Sequence, residues 1–165
     1  MIIVAMRAAL SALTALLLVL QSSQGAGDGS DWSWPTRAAH VVVRPFVAPA
    51  SDYGAGHRGI DLAAGDDVLA PADGTVFFAG VVVDRGVLSI DHGDGVISSY
   101  EPVTTTLHAG DTVRRGQVIG TIDPGHCAVR CVHFGVRVAG EYVSPLLFLG
   151  GAPRAVLLPT RSLDP

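Results

Sequence analysis

A rhythm of short apolar runs most constrains what this chain can fold into. From about Arg37 onward, runs rich in Val, Ile and Phe recur: HVVVRPFV, GTVFFAGVVV, GVLSIDHG, GVISSYEPV, QVIGTID and CVHFGVRV. Gly, Asp or Pro bounds each run, roughly every eight to twelve residues. β-Branched side chains are restricted in helices and pack well on a pleated surface. No stretch of this region places its apolar residues at helical spacing. The pattern predicts an all-β domain of antiparallel strands. With 48% of the chain hydrophobic, there is material for a core and no case for disorder.

The two ends read differently. Arg7 followed by the apolar run Ala8–Leu20, then Gln21-Ser22-Ser23, has the layout of an export signal. The run is shorter than the roughly 20 residues a spanning helix needs. Ser23 and Gly25 are small residues placed for a cut after Gly25, and no Cys there would take a lipid. The expected organisation is a signal peptide over 1–25, a Gly/Ser/Asp-rich linker over 26–36, the β domain over 37–150 and a tail over 151–165. Within that tail, Val156-Leu157-Leu158-Pro159 could add a strand. The expected location is outside the cytoplasm, secreted or in the cell envelope, with no membrane span once the signal is cut.

Net charge of −4, with all 11 basic residues Arg and none Lys, argues against a nucleic-acid or anionic-surface partner. No basic cluster exceeds Arg114–Arg115. No oligomer signature stands out, so a monomer is expected. Only Cys127 and Cys131 are present, and export makes a disulfide between them plausible. Its five-residue loop gives only about 2 kcal/mol by loop-closure entropy, so its use would be to shape a turn.

One internal echo is legible. Gly65-Asp66-Asp67-Val68 leading to Gly74-Thr75-Val76 is answered by Gly110-Asp111-Thr112-Val113 leading to Gly116-Gln117-Val118. The rhythm is that of sandwich-like barrels related to lipoyl and biotinyl carriers. A carrier needs a lysine at a hairpin tip, and this chain has none.

Two stretches carry chemistry. In GHRGIDLAAG, strand alternation would put His57, Gly59 and Asp61 on one face, with Arg58 on the other. In RCVHFGV, Val132, Phe134, Val136 and Val138 form the core face. Cys131, His133, Gly135 and Arg137 take the opposite one. Bringing His57, Asp61 and His133 together gives two imidazoles and a carboxylate. That set suits a divalent ion and leaves a position for water. Taken alone, each motif could equally be surface histidines and a turn-capping carboxylate.

In combination and order, GHRGIDLAA, APADGTVFFAG, GDTVRRGQVIG, VHFGVR and YVSPLLF resemble the lysostaphin-type (LytM-like) zinc peptidases, from about Val43 to Phe148. The resemblance implies a flattened antiparallel β-sandwich or barrel. It also implies bound zinc (Zn2+) and hydrolysis of peptide bonds in peptidoglycan peptides. The family's HxxxD and the second His of its HxH motif map onto His57, Asp61 and His133 as metal ligands. Two further family histidines are absent. The first His of HxH falls on Cys131, and the His of a Tyr-x-His-Leu stretch falls on Pro102 in Tyr100-Glu101-Pro102-Val103. His126 and Glu101 are the candidate catalytic replacements. Cys131 would be a soft zinc ligand if reduced, and half of a disulfide if not. The alternative function is a zinc- or wall-binding adaptor, without activity of its own, that regulates another wall hydrolase. Of the other histidines, His92 reads as structural in a hairpin turn, and His40 and His108 as exposed. Pro102 is expected to stop a strand after Tyr100. Tyr53 could line a cleft or pack in the core.

Overall fold

The computed structural model describes residues 32–37, 40–51 and 53–150. The expected signal peptide and C-terminal tail lie outside them. All six apolar runs contain strands. In chain order these are β1 (Val42–Arg44), β2 (Ile60–Ala63), β3 (Asp67–Leu69), β4 (Gly74–Val82), β5 (Arg85–Asp91), β6 (Val96–Glu101), β7 (Val103–Thr104), β8 (Thr112–Val113), β9 (Val118–Ile122), β10 (Cys131–Val138) and β11 (Glu141–Val143). The one helical element among the described residues is a 3-10 turn at Pro145–Leu147. The protein is all-β, as expected.

Every pairing is antiparallel. A large sheet runs β1-β2-β10-β6-β5-β4-β8, with β11 paired to β10, and a small sheet runs β3-β9-β7. The two halves of the sequence echo pair reciprocally. β3 of the first joins β9 of the second, and β8 of the second joins β4 of the first. Val68 and Val113, equivalent in the echo, are both buried.

The core lies between the sheets. Val68, Val103, Ile119 and Ile122 meet Leu62, Leu88, Ile90 and Phe134 in one cluster. On β10, Val132, Phe134 and Val136 are fully buried while His133 is turned to the other face. That alternation leaves the outer face of the large sheet to carry polar groups.

Three expectations need correction. Of the linker expected over 26–36, the described part packs on the domain: Trp32 is buried against Phe134 and Phe148, and the Ser33 amide donates to the Pro71 carbonyl. An indole has more apolar surface to bury than its Gly/Ser/Asp neighbours can keep in water. Pro102 does interrupt the strand, but one residue later than expected: β6 includes Glu101, held opposite His133. Tyr53 neither packs in the core nor lines a cleft; it is wholly exposed.

His92 is structural. Its Nδ1 donates to the Asp73 carbonyl (2.8 Å) and its Nε2 accepts from Ser98 Oγ (2.7 Å), which in turn accepts from the Tyr100 hydroxyl (2.8 Å). Trp32 covers the ring at 4.5 Å. Burial pulls the His92 pKa down, against the opposing pull of the Asp73 carbonyl and the Asp91 charge. The unfolded chain therefore takes up a proton near pH 6.5 that the folded chain resists. Stability contributed by neutral His92 is present above that pH and lost below it. Thermal unfolding between pH 7.5 and 5 should show a shallower pH slope in His92→Gln than in the parent; equal slopes would refute the assignment.

Candidate functional site

Three adjacent strands of the large sheet bring the sequence motifs together. On β10, His133 lies opposite Asp61 of β2 on one side and Glu101 of β6 on the other. Side chains in such directly opposed positions are near neighbours, so Asp61, His133 and Glu101 form a row across the outer face. His57 enters from outside β2. The strand begins only at Ile60, and His57 is held by an isolated bridge to Val47.

The polar atoms converge. His57 Nε2 is 3.0 Å from Asp61 Oδ1 and 3.0 Å from His133 Nδ1, and His133 Nδ1 is 2.8 Å from Asp61 Oδ1. His57 Nδ1 donates to the Pro45 carbonyl at 2.7 Å. A carbonyl can only accept, so the Nδ1 of neutral His57 carries the proton and its Nε2 presents a lone pair. Two lone-pair atoms, Nε2 and Oδ1, thus face each other at 3.0 Å, and one His133 N–H cannot serve both. A divalent cation held between the two atoms would satisfy both. Ligands about 2.0–2.1 Å from a tetrahedral zinc ion lie about 3.3 Å apart, close to the separations here. The donor set fits zinc, and these are the residues that would hold it.

Electrostatics agree with that reading. Burial works to raise the Asp61 pKa. The hydrogen bonds that His133 and His126 donate, foremost among the opposing influences, help to hold the carboxyl below its ordinary value. Burial lowers the His133 pKa more than Asp61 raises it, which favours the neutral ring a metal needs. Asp61 and His57 are nearly inaccessible to solvent.

Gly59 makes room for the cluster. A Cβ there would fall on the Phe134 carbonyl oxygen and 2.7 Å from His133 Nε2. No side chain can occupy that position without moving His133.

Both replacement candidates flank the trio. His126 Nε2 reaches Asp61 Oδ1 at 3.2 Å. It lines a cavity of about 350 Å3 with Asp84, Arg85 and Pro102. Glu101 lies in a second cleft of about 330 Å3, with Arg58, Ser99, His133, Arg137 and Tyr142. The disulfide is present: Cys127 and Cys131 are bonded, with Cα atoms 5.9 Å apart. It ties the loop bearing His126 to the first residue of β10, two before His133. The reading of Cys131 as a thiolate ligand is thereby overturned. His126, Cys127 and Cys131 cluster because of the bond.

Residues 55–145, more than half of the chain, match Peptidase family M23. The chain belongs to peptidase family M23. An uncharacterized protein of Mycobacterium tuberculosis is 38% identical, over 82% of this chain and 58% of its own length. The murein hydrolase activator NlpD of Escherichia coli is 34% identical, over 73% of this chain and 31% of NlpD. This M23 chain thus spans three fifths or less of the length of these curated relatives. Among solved structures, the pore-forming SpoIIQ–SpoIIIAH complex contains a chain that superposes with a TM-score of 0.60 at 26% identity, covering 74% of this chain and 92% of that one.

Some of this M23 site escaped the sequence reading. The Pro45 carbonyl carries no sequence signal. Arg58 was expected to face away from the metal position, yet it lines the cleft beside His133. Alternation does not apply at residue 58 because the strand has not begun. Arg137 was on the page, sharing the alternation of His133, but was assigned no role.

Proposed function

We propose that this chain is an exported zinc metallopeptidase that hydrolyses peptide bonds of peptidoglycan. The convergence of His57 Nε2, Asp61 Oδ1 and His133 Nδ1 within 3.0 Å carries the reading. Bound zinc would supply Lewis-acid polarisation of the scissile carbonyl and a water acidified toward neutral pH. The protein's own residues do the rest. Pro45 fixes the His57 tautomer, and the strand pairing fixes Asp61 against His133. His126, which donates its Nε2–H to Asp61, stands beside the trio as the proton-transfer group. Glu101, on the opposite side of His133, offers a carboxylate to the peptide lying in the cleft. The trio lies on the outer face of the large sheet, the face from which an extended substrate would approach. Residues 1–25 serve as a removed export signal, which puts the domain where peptidoglycan is.

A second reading is favoured by the similarity to a murein hydrolase activator. The same domain would bind zinc or wall peptide and regulate another hydrolase. The experiment that separates them is digestion of purified peptidoglycan by the zinc-loaded protein, with products read by mass spectrometry and His133→Ala as control. New peptide termini made only by the parent are expected. A folded, zinc-bound protein that releases none, yet stimulates a separate wall amidase, would establish the adaptor instead.

A further inference from the structure

The cleft beside His133 carries Glu101 near the metal trio and arginines further along. At the His133 end stands the carboxylate of Glu101, paired across the strands with His133. At the other end Arg137 lies four residues further along β10 on the same face, about 13 Å away at strand rise. The guanidinium carbon of Arg137 sits 5.7 Å from the centre of the Tyr142 ring, and that of Arg58 sits 5.8 Å from the same ring. Tyr142 is placed there by the β10–β11 hairpin, which pairs it directly with Arg137. Arg58 is steadied further by donating to the Gly54 carbonyl at 3.2 Å. Among the described residues no carboxylate ion-pairs with Arg137.

An arginine held against an aromatic face keeps its planar fork of donors available and has lost much of its conformational freedom beforehand. The natural ligand of such a fork is a carboxylate, bound by paired N–H donors.

We infer that Arg137, braced by Tyr142 and accompanied by Arg58, is a carboxylate-reading subsite that selects acidic wall peptides over neutral ones. Resting on the peptidase reading above, this names the substrate class: a stem-type peptide with a free carboxylate a few residues from the bond at His133, in preference to an oligoglycine bridge. The extended peptide would lie along β10, its carboxylate on Arg137 and its scissile bond beside the metal trio. Arg137 is a specificity residue and does not touch the reacting atoms.

The test measures binding rather than cleavage. A stem peptide with a free side-chain carboxylate, the same peptide amidated, and pentaglycine are titrated calorimetrically into the full chain, with added zinc and after metal removal. The acidic peptide should bind about tenfold more tightly than its amide, a margin set by a charge-assisted hydrogen bond. Added salt should shrink the margin. Arg137→Gln should abolish the margin while leaving the amide's affinity unchanged, and Arg137→Lys should restore part of it. Thermal melts confirm that both variants fold. Equal affinity for acid and amide, or no measurable binding of either, overturns the inference. A preference that persists in a protein that cuts nothing keeps the subsite and removes the peptidase. Cleavage of the wall by a protein indifferent to the carboxylate does the reverse.

Discussion

Gly59→Ala should cost the protein its zinc and part of its stability in one step. The added methyl would meet a backbone carbonyl, that of Phe134, which cannot rotate away as a flexible side chain does, and would press on His133 Nε2. Overpacking a tight site costs about 1–3 kcal/mol. The cheapest relief is to push the His133 ring outward, which breaks the contacts of its Nδ1 with Asp61 and His57. Metal analysis should find about one zinc per parent chain and almost none in the variant. Gly65→Ala is the matched control, because a Cβ there meets nothing within 4 Å. A Gly59→Ala protein that keeps full zinc would mean that His133 is not held where the ligand set requires it.

His126→Ala should lower the rate of peptide hydrolysis by about two to four orders of magnitude, the usual worth of a positioned proton-transfer group. Zinc content should stay near that of the parent, because His57, Asp61 and His133 are all retained. The effect should fall on kcat and not on KM, and the pH–rate profile should lose one limb. Opening the disulfide by Cys127→Ser should produce a weaker version of the same defect. That bond is what ties the His126 loop to β10, and its loss also costs about 2 kcal/mol through the freed five-residue loop. A His126→Ala enzyme with unchanged kcat would move the proton-transfer role to Glu101, where Glu101→Gln would then carry the loss.

The strands were legible because period-two burial leaves its mark in composition. Val132, Phe134 and Val136 point inward and His133 outward, as the letters of CVHFGVRV imply. Asp61 and His133 could be matched for the same reason. His126 was within reach through its neighbour Cys127, once the bond to Cys131 was considered. What could not be read came from elements whose neighbours are set by register. Pro45 meets His57 because the segment running from β1 to Val47 folds back along the metal motif, and Tyr142 meets Arg137 because of where a hairpin turns. Neither leaves a trace in local sequence. Trp32 was misjudged for the opposite reason: its polar neighbours hid a core residue.

The reciprocal pairing of the two echoed units governs when this domain can exist at all. β3 waits for β9 and β4 waits for β8, partners about forty to fifty residues apart along the chain. Neither unit can satisfy its own edges, so no stable intermediate ends at the midpoint. Such non-local closure makes folding slow, on the order of milliseconds to seconds for β topologies of this kind. Under the export proposed above, the delay would be useful: the leading half would stay unfolded and threadable until β8 and β9 had followed it out. The last of these to emerge, β9, is followed at once by the loop bearing His126 and the disulfide, so the proposed metal trio and its flanking histidine would assemble only once translocation of the domain was nearly complete.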